Sequence, residues 1–288
     1  LPEENGMAPI ALVTASTSSL PPEIIASHNI QLIPFVIQFL DGNYKEGVDL
    51  SLADFYRRLE LAETVPSTAP TSVAQYIQHF EHEHPEAEAI VVFHVADQIS
   101  KSYANAVQAA ERVPQRRIIN IDSHSFSIGT GLQIIEAAKA LQLGATLDEM
   151  LQLVEKLSAQ TIMLFAPTSV RYLRMSGRLG RVPALAASLL GIQPVLGLGA
   201  QGMEVVDRTR SAQAARDSML NQLREFLGQS RAAALGVVHT NAPEAAAALI
   251  TIVREQFPNV PVYSSDAGPI LAVHGGPGAL GLAALRAR

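Results

Sequence analysis

The stretch that most constrains the fold is 88–95, where Ala89-Ile90-Val91-Val92-Phe93 runs without a polar break. A strand that is apolar on both faces has to be covered on both, as happens when helices pack on either side of a parallel sheet. The flanking pattern agrees. Segments 10–13, 31–38 and 117–121 read as further strands, the second ending in the turn Asp41-Gly42-Asn43. Amphipathic helices are predicted over 21–27, 52–61, 72–83, 102–111 and 129–141, with Ser51 as a cap and Pro85 as a stop. Strand alternating with helix predicts a parallel sheet with a helix layer above and below.

Near Gly144 the composition shifts. A charged amphipathic helix over 147–158 is followed by a strand over 162–166 and by a helical or irregular stretch over 167–190 that carries Arg171, Arg174, Arg178 and Arg181. Strands over 193–198 and 203–208 flank a glycine-rich turn. Helices over 211–227 and 243–256 alternate with strands over 233–238, 260–264 and 270–273. At ~150 residues per domain, 288 residues fit two domains. The expected fold is α/β with two domains: a three-layer parallel-sheet unit over 8–155 and a smaller mixed-sheet α/β unit over 156–288.

Composition removes several classes of function. With 48% hydrophobic and 17% charged residues, the chain has enough apolar surface to fold. Net charge is −6 and no basic block occurs, so a nucleic-acid footprint is missing. The absence of Cys excludes disulfides, thiolate nucleophiles and cysteine-ligated metals. The first residues show neither a basic nor an apolar leader region, and the apolar stretch 184–200 is broken by Gln193 and Pro194. A cytoplasmic protein with at most transient membrane contact is expected.

Two segments match G-x-G-x-x-G, and neither reads as a dinucleotide fingerprint. Gly197-Leu198-Gly199-Ala200-Gln201-Gly202 is followed by a strand-like run, which makes it a hairpin turn. Gly276-Pro277-Gly278-Ala279-Leu280-Gly281 has too little chain after it for a second strand and a ribose-binding acid. It does place His274 beside glycine-rich backbone at a predicted helix start, where free N–H groups favour an anion. A structural histidine in a tight turn is the competing interpretation.

Hydroxyls cluster in the connecting loops: Thr14 to Ser19 after the first strand, Ser67 to Ser72 before a helix, Ser100 to Ser102 between a strand and a helix, and Ser123, Ser125 and Ser127 after the fourth strand. Loops at the carboxyl ends of parallel strands converge on one crevice. Any one cluster is explained as a helix cap, but four describe a neutral, donor-rich site suited to a carboxylate or phosphate. Nucleophilic catalysis finds less support. Asp122-Ser123-His124 are sequence neighbours that cannot align as a triad, and no G-x-S-x-G elbow or Walker lysine loop occurs. His79, His82 and His84, interleaved with Glu81 and Glu83, read as a solvated helix end in preference to a metal site.

These residues together resemble the DegV family of bacterial lipid-binding proteins. The hydroxyl clusters, Gly177-Arg178-Leu179 after Tyr172-Leu173, and the terminal His274-Gly275-Gly276-Pro277-Gly278 appear in that family's order over about 10–285. The resemblance implies two α/β domains with a long-chain fatty acid, such as palmitate or oleate, buried between them and no further cofactor. It also implies a carrier role, with the carboxylate presented to a separate ATP-binding kinase subunit that makes acyl phosphate. The residues it puts around the carboxylate are Ser67, Thr68, Ser100, Ser102 and His274, with Arg178 beside them. Ala15, Ala69 and Lys101 depart from the family's Asp, Gln and Gly, and an inward Lys101 would add a cation near the head group. A non-enzymatic fatty-acid carrier is therefore expected. The alternatives are a hydrolase or transferase using the serine-lined cleft with His274 as base, and a plain anion-binding module. Segment 185–192, rich in small and aliphatic residues, is expected to wall the acyl tunnel.

Overall fold

A computed structural model describes residues 9–62, 64–177 and 191–287. The parallel sheet has strand order β2-β1-β6-β7, with β1 at Ile10–Ala15, β2 at Gln31–Ile33, β6 at Ala89–His94 and β7 at Ile118–Asp122. All of its pairings are parallel. All six residues of β6 are buried, as the unbroken apolar run requires. Helices α1 (Pro22–Ser27), α3 (Val73–His82) and α4 (Ser102–Ala110) belong to this half. The start of α3 is fixed by a capping box, in which Ser72 and Gln75 satisfy each other's exposed backbone N–H groups.

The strand predicted over 31–38 is two strands. Pro34 lacks an N–H and interrupts the ladder, so β3 (Val36–Phe39) leaves the parallel sheet. It pairs with β4 (Gly42–Lys45) and β5 (Ser67–Ala69) in a separate antiparallel sheet. Helix α2 (Leu52–Leu61), capped by Ser51, covers this small sheet through Phe55, Tyr56 and Leu59.

Helix α5 (Ile128–Gln142) is buried on nearly every side and packs against β6 as well as against three strands of a six-stranded mixed sheet formed by the second half of the chain. Its apolar residues are not confined to one stripe, as befits a helix with partners all round. Two close approaches require glycine. A Cβ at Gly131 would meet the Ser18 carbonyl at 2.8 Å, and one at Gly236 would meet Ile128 Cγ1 at 2.6 Å.

After α6 (Leu147–Leu157) comes a six-stranded mixed sheet ordered β10-β9-β8-β13-β11-β12. Its strands are β8 (Thr161–Ala166), β9 (Gln193–Gly199), β10 (Gly202–Thr209), β11 (Ala232–His239), β12 (Val262–Asp266) and β13 (Leu280–Arg286). The first glycine motif is the β9–β10 hairpin turn. Helices α8 (Ala212–Leu227) and α9 (Pro243–Gln256) cover one face of the sheet, and the short α7 (Val170–Met175) follows β8.

The run predicted as a strand over 270–273 is instead helix α10 (Gly268–Gly275). Pro269 sits in its first turn, where a missing N–H costs nothing, and Gly268 enters it at φ +75°. Ile270, Ala272 and Val273 then pack on the small sheet with Ile37 and Phe55. His274 therefore lies in the last turn of a helix, and the residues after Gly278 open β13, so the anion-binding helix start expected there does not exist. Among the described residues, no helix is long and apolar enough to cross a membrane.

Candidate functional site

Three loops follow the carboxyl ends of β1, β6 and β7, and they face α10 and the small sheet. Between them lies a cavity of about 240 Å³. That is several times the ~30 Å³ share of one water molecule, so the space suits a larger guest than an ordered solvent molecule. Its walls are mostly apolar, with Phe35, Phe126, Phe165, Leu196 and Ile270 among them. Seven polar residues interrupt the apolar lining: Thr17, Ser19, Thr68, Ser100, Lys101, Ser127 and His274.

Local structure explains which hydroxyls reach the cavity. In β5 neighbouring side chains point to opposite faces. Thr68 lines the cavity, while Ser67 lies on the exposed face and donates to Gln38 Oε1 at 2.9 Å. Ser67 is thus not brought to the site. Ser100 closes the turn after β6, with its N–H and that of Ile99 both directed to the Ala96 carbonyl. Its Oγ accepts from the Ser102 N–H at 3.2 Å, which leaves its own proton for a ligand oxygen. Ser102 opens α4, is buried and does not line the cavity; its hydroxyl faces the Tyr76 phenol behind the site. Burial pushes that phenol up to about 12. Tyr76 in turn meets His94, whose Nε2 lies 2.9 Å from Asn120 Oδ1 and whose pKa burial lowers to about 4.

His274 is held by the glycine-rich loop that follows it. The Gly275 carbonyl accepts from both the N–H and the Oγ1 of Thr168, each at 3.1 Å. Thr240 Oγ1 donates to the Gly276 carbonyl at 2.6 Å and accepts from the Ala279 N–H at 2.9 Å. Gly276, at φ +77°, admits no side chain, because a Cβ there would enter the Tyr172 ring. Lys101 is exposed yet lines the cavity mouth beside Ser100. Arg178 and residues 185–190 of the expected tunnel wall lie outside the described residues. Gly191 and Ile192 are described and do not line the cavity.

Two features escaped the sequence. The first is the aromatic lining, since a cavity wall and an ordinary core share one composition. The second is a half-buried acidic cluster beneath the N-terminus of α10. Ser16 donates to Glu46 Oε2, and Glu46 faces Asp266. Burial is the main cause that pushes the Glu46 carboxyl up to about 7. Burial also raises Asp266, but hydrogen bonds from His239, Tyr56, Gly268 and Asn241 outweigh it and hold Asp266 below the usual carboxylate range. The Tyr56 hydroxyl donates to Asp266 Oδ1 at 2.7 Å and ties α2 to β12.

Comparison with known proteins bears on the whole chain. The family model of the DegV family, described as uncharacterised protein, matches residues 9–287. A DegV domain-containing protein of Deinococcus radiodurans is 27% identical over 274 residues, covering 95% of this chain and 97% of that one. Among solved structures, the fatty acid binding protein DegV of Bacillus subtilis superposes with a TM-score of 0.89 at 24% identity, covering 98% of this chain and all of that one. A stearic-acid-binding protein of Eubacterium ventriosum gives 0.86 at 24% identity, covering 97% of this chain and 98% of that one. The fold of these proteins is the fold described above, and with the family model matched over nearly its full length the chain belongs to the DegV family.

Proposed function

We propose that the cavity holds a long-chain fatty acid, with its carboxylate among Thr68, Ser100, Lys101 and His274 and its chain along the apolar wall. The reading is carried by one observation: a mostly apolar cavity whose only cation-bearing or imidazole-bearing lining residues, among the described ones, are Lys101 and His274. Such a cavity fits a ligand that is apolar over most of its length and anionic at one end. The energetics agree. At ~0.8 kcal/mol per buried CH₂, sixteen carbons gain on the order of 11 kcal/mol gross. Immobilisation removes several kcal/mol of this, which still leaves enough to retain a fatty acid through purification. The two units, 8–155 and 156–288, would close on the chain from opposite sides. In this reading the protein is a cytoplasmic carrier and not itself an enzyme. The sequence has no Walker-type lysine loop, so acyl phosphate formation would fall to a separate ATP-binding kinase subunit that meets the exposed carboxylate end.

Mass spectrometry of freshly purified protein should detect a bound long-chain fatty acid. Protein that is empty, and that takes up neither palmitate nor oleate, would defeat the carrier reading. Ser100→Ala and His274→Ala should each weaken palmitate binding about ten-fold or more, since a hydrogen bond to a charged group is worth roughly 1.5–3 kcal/mol. Titration calorimetry on delipidated protein measures this. Wild-type affinity in both variants would remove the carboxylate from this end of the cavity.

A further inference from the structure

Two cavity-lining serines are held in backbone conformations that L-residues rarely adopt. Ser19 has φ 51° and ψ 36°, and Ser127 has φ 49° and ψ −139°. The second lies close to a region populated almost only by glycine, and such residues persist where the surroundings over-determine them, often at functional sites. Both are buried, both line the cavity, and their Oγ atoms are 2.8 Å apart. They come from loops after different strands, β1 and β7. The Ser19 carbonyl is fixed from β12 of the mixed sheet by the Ser265 hydroxyl at 2.6 Å.

Ser127 stands between a strand and a long helix, the placement of a hydrolase nucleophile. Its hydroxyl partner, however, is another serine, which has no basicity to take its proton. Binding is what the pair can do. Two hydroxyls carry two protons, and the bond between them uses one. No other hydrogen bond reaches either Oγ from the described residues, so one proton and several lone pairs remain for a third oxygen. That oxygen need not be charged, because the cavity's cationic or imidazole groups lie on other elements, Lys101 at the start of α4 and His274 in the last turn of α10. We propose that Ser19 and Ser127 form a second polar subsite that recognises a neutral oxygen on the acyl chain, so that the cavity accepts hydroxy or oxo fatty acids and prefers them over the plain chain. Facing a CH₂ group, the pair remains bonded to itself but leaves one proton without an acceptor, which counts against the plain chain. Facing a chain hydroxyl, it gains hydrogen bonds that an apolar wall could not offer.

The subsite rests on the fatty-acid reading, and the test separates the two. Delipidated wild type is titrated with stearate and with a series of positional hydroxystearates. At least one isomer should bind roughly five-fold or more tighter than stearate, the worth of about one neutral hydrogen bond. Ser127→Gly and Ser19→Gly suit their backbone positions, so both variants should fold at least as well as wild type. They should bind stearate at least as tightly as wild type does and lose the preference for the hydroxylated isomer. Stearate binding with no isomer preferred would overturn the subsite alone. Equal weakening of stearate and hydroxystearate in the glycine variants would also overturn it, because the pair would then belong to the carboxylate's seat. Failure of wild type to take up any of these acids would overturn both readings.

Discussion

Replacing Glu46 by Gln is expected to change the pH dependence of folding by about 3 kcal/mol between pH 4.5 and 7. In the folded protein burial raises the Glu46 carboxyl from 4.5 to about 7. Across that window the unfolded chain has released the proton and the folded chain retains it, so stability falls as pH rises. At ~1.4 kcal/mol per pH unit, the gap comes to about 3 kcal/mol. Gln keeps the shape and accepts the Ser16 hydroxyl without ever ionising. The variant should match wild type near pH 4.5 and exceed it at pH 8. Two histidines, the buried His94 and the half-buried His79, work in the opposite direction. Burial lowers both to about 4, so the stability they contribute is lost as pH falls from 6.5 towards 4. The informative quantity is therefore the difference between wild type and Glu46→Gln in urea unfolding at a series of pH values. A difference that stays constant would show that Glu46 does not hold its proton when folded.

The second large effect is expected at Gly275, in the last turn of α10. An alanine methyl there would overlap Phe165 Cζ and lie 2.8 Å from its Cε1. The backbone cannot recede, because Thr168 holds the Gly275 carbonyl by two hydrogen bonds. The ring must move instead, and the space open to it is the cavity that it lines. If three or four methylenes of a long chain lose their place, at ~0.8 kcal/mol each, the cost is about 3 kcal/mol. Gly275→Ala should then weaken palmitate about a hundred-fold while leaving octanoate near its wild-type affinity. Equal weakening of both acids would mean that the substitution disturbs His274 and not the chain's path.

Much of the fold could be read in advance where local chemistry decides local structure. Ser51 caps the helix that begins at the next residue, as its type and place predict, and the buried β6 was legible from its five apolar residues. The failures share a cause. Ile270-Leu271-Ala272-Val273 is too short and too uniformly apolar to show a period, and tertiary packing decided it. A single proline divided the strand predicted over 31–38 and created a sheet that no local signal announces. The site was legible only by residue type. Thr68 and Ser67 are equal as letters, and the pleat of a three-residue strand separates them. The acidic cluster was beyond reach, because Ser16, Glu46 and Asp266 meet only after all three sheets have formed.

The order of strands in the mixed sheet has a consequence for how the protein is made. β13 lies between β8 and β11, and its neighbours were synthesised well before it. Until it leaves the ribosome, β8-β9-β10 and β11-β12 are separate fragments, each with an open edge where the other should be joined. At ~5–20 residues per second the interval from β8 to β13 is on the order of ten seconds. Throughout it, α5 has no complete sheet to cover its second face. Unpaired edges and a helix left without the sheet that should bury it are the features that draw nascent chains into aggregates, so this chain is at its most vulnerable just before synthesis reaches β13. Of the six strands in this sheet, the one made last is the one that seals the core.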